Sequence, residues 1–263
     1  MASSCTIERD LAKEFLLHKD SLSIMLIPPD YVYKSNLKAY EVENYEVLDE
    51  YRKDSALYAS SLFLQEIDDT LFIGRYFSAL NARLRKFGIT TYSDDQLPEF
   101  LGLTHPAFQV ALVQLELEED VYPYRAEEIF YDSILFYEDF LLNTVNMNSW
   151  FEISKLNDTD AVNNLLYASH YVMDELEGRF ANNLFTSEVK FKYNLISMKT
   201  EDVYTLAALM GEKYADYIFD YLLNEYIFSN YPDSKRPGTF LHYCLEYNNF
   251  TPAGDDRFVF LKD

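Results

Sequence analysis

The chain has 263 residues, with 44 Asp+Glu against 22 Lys+Arg and a formal net charge of −22 at pH 7. Its 49% apolar and 25% charged residues exclude global disorder, collagen-like or low-complexity polymers and disulfide scaffolds. Seven glycines leave little room for glycine-rich phosphate loops, whereas 23 Tyr and 20 Phe make the chain unusually aromatic.

Residues 7–19 space Ile7, Leu11 and Phe15 as one helical face. SLSIMLI then predicts a short buried strand stopped by Pro28-Pro29, and residues 39–47 an edge strand. A long helical region follows from Leu48 to Phe87, with Gly74 a candidate break and Gly88 a C-cap after Arg83, Arg85 and Lys86. Ser93 and Gln96 form a capping-box pattern before LPEFLGL. Residues 108–117 alternate in a way that fits a strand or a buried helix, with the strand preferred.

After Pro123, residues 125–143 read as a helix with Ile129, Ile134, Tyr137, Phe140 and Leu141 inward, and residues 160–178 as a helix capped by Asp158 or Asp160 and ended by Gly178. EVKFKYNLI (188–196) is the clearest strand, with Val189, Phe191, Tyr193 and Leu195 on one side. The last long helix runs from Thr200 to about Phe228, with Leu206, Met210, Tyr214, Tyr217 and Tyr221 as a core stripe opposite Glu212, Asp216, Asp220 and Glu225. A short helix at 238–246 and a terminal FVFL strand complete the chain. The expectation is an α+β fold, helix-dominated, with a small sheet of a few short strands, in one domain over 1–263. If there are two domains, the break falls near 143–158.

Negative charge is concentrated. Residues 92–140 hold twelve acids and one base, Arg125, a net −11. Within them Glu116, Glu118, Glu119, Asp120, Glu127, Glu128, Asp132, Glu138 and Asp139 are interleaved with aromatics that include Tyr122 and Tyr124. Carboxylates can stand where phosphates would, and flat rings where bases would, against a basic groove. These eleven residues are the candidate partner-binding set. The plainer alternative is a solvated acidic loop and helix face with the aromatics packed inward.

Little else points to chemistry. Glu14 with His18, and His170 with Asp174, sit one helical turn apart, but neither pair makes a complete metal site. Carboxylate doublets such as Asp94-Asp95 arise by chance among so many acids, and no nucleophile elbow, Walker A or dinucleotide fingerprint is present. No catalytic residue, cofactor or metal is expected. Cys5 and Cys244 read as two free thiols, and the sequons at Asn157 and Asn249 as chance matches. The start MASSCTIERD carries no secretory pattern and no apolar run approaches membrane length, so the expectation is a cytoplasmic protein.

The strong acidity, the wealth of Tyr and Phe and the carboxylate–aromatic segment at 116–139 resemble phage-encoded inhibitors of host nucleic-acid-processing proteins. The likeness is compositional and carries over no residue roles. It implies a non-enzymatic nucleic-acid mimic that covers the basic site of a nuclease, polymerase or defence complex, binds no nucleic acid or membrane itself, and can be a homodimer. A virion assembly adaptor and an enzyme with an unfamiliar acidic site are the alternatives.

Overall fold

A computed structural model describes residues 4–43, 45–131, 133–156, 164–182, 188–232 and 238–261. Helix α1 (Ser4–His18) turns Ala12 and Phe15 inward and leads to the apolar strand β1 (Ser23–Ile27). Pro28-Pro29 ends β1 because proline offers no N–H to a ladder. The chain then resumes as β2 (Tyr33–Asn36). Helices α2 (Glu50–Ala59) and α3 (Asp69–Lys86) start at Asp49 and Asp68, whose side chains accept from the N–H groups of Arg52 and Leu71. Helix α3 buries Phe72, Tyr76, Leu80 and Leu84, one residue per turn, and Gly88 follows it at φ +91°.

Strand β3 (Thr90–Tyr92) and the short α4 (Leu97–Leu101) precede a very long hairpin, β4 (Ala107–Phe130) and β5 (Ser133–Lys155). Next come β6 (Asn164–Met173), β7 (Glu175–Asn182), β8 (Val189–Ile196) and the 31-residue α5 (Thr200–Asn230). Strands β9 (Leu241–Cys244), β10 (Asn249–Pro252) and β11 (Val259–Leu261) finish the fold.

The main sheet runs β11-β6-β5-β4-β1-β3, with β2 continuing beside β4 beyond the end of β1. Its β1, β2 and β3 pairings are parallel, whereas β4, β5, β6 and β11 pair antiparallel. One face carries Leu115, Leu117, Val145, Met147, Phe151 and Leu166 against the helices. There Phe151 meets Tyr214 at 5.8 Å, Phe87 stacks on Phe219 at 4.2 Å, and Phe15 meets Phe219 at 5.5 Å. The Tyr stripe of α5 is core.

The helix-dominated expectation is overturned: the protein is a mixed α/β fold with strand and helix in near-equal shares around a large mixed sheet. Residues 125–143 are not a helix but the far part of the β4–β5 hairpin, and residues 164–178 are β6 and the start of β7. The helical spacing read at 125–143 came from apolar residues on both faces of a two-stranded ribbon. Its connection at 131–132 has no glycine, and Tyr131 itself takes φ +44°. Other local differences follow the same tertiary logic: Ala39–Glu41 and Tyr45–Val47 are single helical turns, 241–244 is a strand, and the long helical region divides at 60–68, not at Gly74. The caps proposed at Asp158 and Asp160 and the Asn157 sequon lie outside the described residues. Residues 143–155 belong to the central strand β5.

Helices α3 and α5 touch backbone to side chain at Gly211, where a Cβ would stand 2.2 Å from the Tyr76 carbonyl oxygen and 3.1 Å from the Ala79 Cβ. Gly211→Ala must therefore push the helices apart. Urea unfolding should show it less stable by about 1–3 kcal/mol, although alanine is the better helix former; a gain in stability would contradict this crossing.

Candidate acidic binding face

Register decides which acids meet. After an irregularity between Leu112 and Gln114, the even-numbered residues of β4 share the face opposite the helices. Glu116 pairs with Asn148, Glu118 with Asn146, Asp120 with Thr144, Tyr122 with Leu142 and Tyr124 with Phe140. On one flank β2 places Tyr33 beside Glu116 and Ser35 beside Glu118. On the other, β6 sets Tyr167, Ser169 and Tyr171 beside Trp150, Asn148 and Asn146. No lysine or arginine occupies these positions.

The face is organised by its own hydrogen bonds. Asn148 Nδ2 donates to Glu118 Oε2 at 2.6 Å, Tyr167 donates to Asn148 Oδ1 at 2.8 Å, and Ser35 donates to Glu116 Oε1 at 3.4 Å. The Trp150 and Tyr167 rings lie 5.1 Å apart. Partial burial, reinforced by the charge of Glu118, raises the Glu116 pKa. Two carboxylates held side by side without a cation attract a cationic partner. Tyr122 and Tyr124 remain 48% and 39% exposed.

The other sequence candidates separate. Glu119 points to the opposite face and is fully buried, paired with the buried Lys38 at 2.7 Å and accepting from the backbone N–H groups of Leu62 and Phe63 at 2.7 and 3.0 Å. It fixes the 36–63 segment onto β4 and is unavailable to a partner. Asp139 is neutralised by Arg125 at 2.6 Å, beside the exposed Glu127, also on the opposite face. Glu128 and Glu138 return to the first face but farther out on the hairpin. Asp132 lies outside the described residues.

Beyond Asn143 the hairpin leaves the sheet as an arm. Strand β6 passes into β7 at the buried Asp174, whose carboxylate accepts from Asn143 N and Nδ2, both at 2.9 Å, and from Met198 N at 2.7 Å. That carboxylate joins three chain segments where the β7–β8 hairpin separates from β5. The β7–β8 hairpin then crosses the outer part of the arm: Phe136 meets Phe180 at 6.1 Å, and Phe140 meets Phe191 and Tyr193 at 5.5 and 4.9 Å. Among the described residues, the inner acidic face, from Glu116 to Asp120, has no such aromatic cover.

Sequence reasoning missed Tyr33, Asn146, Asn148, Trp150, Tyr167 and Tyr171. The signal was present in Thr144-Val145-Asn146-Met147-Asn148, whose polar–apolar alternation has a period of two. Replacing Glu119 by Ala removes the buried carboxylate that pairs with Lys38 and accepts from Leu62 N and Phe63 N, and should cost about 3–5 kcal/mol in urea unfolding, whereas Glu118→Gln at the open face should cost less than about 1 kcal/mol. Equal losses would contradict this division of roles.

Of the acids of α5, Glu212 is exposed and Glu225 half-buried, but the two between them turn inward. Asp216 accepts from Arg83, and Asp220, 1% exposed, accepts from His242 Nδ1 at 2.6 Å and from Tyr243 N at 2.9 Å. They tie α3 and β9 to α5. His170 is hydrogen bonded to Tyr214 rather than aligned with Asp174, and no group of three metal-ligating side chains converges among the described residues. Burial raises the Asp220 pKa to about 6, and the hydrogen bond to Asp220 raises that of His242 above its ordinary 6.5. Both groups hold protons more tightly when folded. Their contribution is complete below the unfolded values and is lost as pH rises through about 6 and then through the raised His242 value. The stability advantage of the wild type over Asp220→Asn should shrink between about pH 5 and about pH 8, and NMR should show His242 titrating at lower pH in the variant. An advantage that grows with pH would reverse the assignment.

Comparison with protein-family models, curated proteins and solved structures found no match. Among the described residues, no helix is long and apolar enough to cross a membrane.

Proposed function

We propose that the protein is a non-enzymatic binding protein that covers the basic nucleic-acid site of another protein with the open face built on Glu116, Glu118 and Asp120. The observation that carries this reading is the alignment of those three carboxylates with Tyr122 and Tyr124 on one sheet face whose paired strand positions hold no lysine or arginine. Alternate residues of a strand repeat every ~6.8 Å, so the carboxylates form a regular line of negative charge. Tyr33 and Tyr171 flank it and are each about half exposed. Rings of this kind can lie against side chains that otherwise stack on bases. The whole chain's −22 charge steers a basic partner toward it and repels polynucleotides.

The test is capture from nuclease-treated host lysate on the immobilised protein. Nucleic-acid-binding proteins should be retained at about 0.05 M salt, released near 0.5 M, and displaced by added DNA or RNA duplex. The triple reversal Glu116→Lys, Glu118→Lys, Asp120→Lys should reduce capture at least about tenfold, whereas reversal of Glu127 and Asp139 on the opposite face should not. Capture that survives the triple reversal, or that a polynucleotide does not compete, would sink the proposal.

A further inference from the structure

On the helix side of the sheet, away from the acidic face, a cavity of about 490 Å³ opens between α3 and the C-terminal ends of β1 and β3. These strands are parallel neighbours, and the connections around them diverge. The link from β1 to β3 carries α3 on one face, while the link from β3 to β4 carries α4, whose Phe100 packs with Met25 and Ala107 on the other. Open α/β sheets bind ligands at such divergences, outside the carboxyl ends of the strands. The volume lies within the range of small-molecule sites.

Two features of the lining point to a ligand. Arg85 Nε donates to Thr91 Oγ1 at 3.0 Å, and Thr91, only 9% exposed, donates to Asn81 Oδ1 at 2.6 Å. This relay fixes the guanidinium plane, and among the described residues no carboxylate forms an ion pair with it. The second feature is Gly74, in the middle of α3, where glycine disfavours helix and where an added Cβ would meet nothing within 4 Å. The missing side chain leaves room beside the half-buried Ile73 and Phe77, which with Pro28 give the cavity apolar walls.

We propose that this cavity binds a small organic monoanion, a carboxylate on a flat apolar body. Arg85 takes the carboxylate through its two terminal nitrogens, and the body lies along Ile73 and Phe77 over Gly74. Asp30 on the rim and the −22 charge of the chain disfavour ligands with more negative charge.

Calorimetry with indole-3-acetate and its neutral amide as probes tests the assignment in the full chain. Indole-3-acetate should bind saturably at millimolar concentration or below, and the amide at least about tenfold more weakly. Arg85→Gln should erase that preference. Gly74→Phe should abolish binding by filling the cavity. Thermal unfolding of each variant separates loss of binding from loss of fold. The assignment is overturned if acid and amide bind equally, if neither binds at millimolar concentration, or if folded Arg85→Gln or Gly74→Phe binds as the wild type does.

Discussion

The ladder between β4 and β5 is the constraint on which the molecule rests. It runs from Phe108 opposite Lys155 to Phe130 opposite Ser133, interrupted only by two local shifts. Its lower part is the middle of the sheet, and its upper part is the arm. Because side chains alternate along a strand, a slip of one residue would exchange Leu115 and Leu117 for Glu116 and Glu118 at the helix interface. Burying those carboxylates without partners would cost far more than the fold can supply. The apolar contacts of one face therefore hold the acidic face in register, and the same pairings that build the core line up the carboxylates outside it.

Two buried carboxylates control where the ladder acquires neighbours and where it loses them. Glu119, with Lys38 and two backbone N–H groups, fastens the segment that follows β2 against β4. Asp174, with Asn143 and Met198, marks the point where β6 stops following β5 and the second hairpin begins. Asp120 lies between these levels, and the stretch that holds Glu116, Glu118, Asn146 and Asn148 lies on the inner side of both. Fully satisfied buried polar groups of this kind specify a single arrangement, since any displacement leaves a charge or an N–H unpaired in the interior.

Much of the local structure was legible in the sequence because it was encoded locally: α1 by its apolar spacing, β1 by a run stopped at two prolines, the end of α3 by Gly88, β8 by strict alternation. The arm was not. Residues 125–143 carry apolar side chains on both faces, one set meeting Phe180, Phe191 and Tyr193 and the other facing outward, so that no period of two stands out. The aromatic packing that covers this hairpin comes from residues more than forty positions away, and no propensity within the segment reports it. For the acidic face, the sequence located only the first part of the strand that carries it, residues 108–117, and not the flanking strands. Tyr33 and Tyr171 come together only through pairings with β4 and β5.

The concentration of acid in 92–140 is therefore two populations with opposite physics. Glu119 and Asp139 have cations at 2.7 and 2.6 Å, and their charge is spent inside the molecule. Among the described residues no cation pairs with Glu116, Glu118 or Asp120, and partial burial, reinforced by Glu118, makes Glu116 hold its proton more tightly. Like charges placed side by side oppose folding unless water or a partner solvates them. Here Ser35 orients Glu116, and Asn148, itself held by Tyr167, orients Glu118, with neutral hydrogen bonds that leave their charge intact. A surface required only for solubility needs no such orientation, because a scattered set of acids would hydrate equally well. An ordered, uncompensated row is more costly than a scattered one when the protein is alone, and it becomes favourable when a cationic surface of matching pitch approaches.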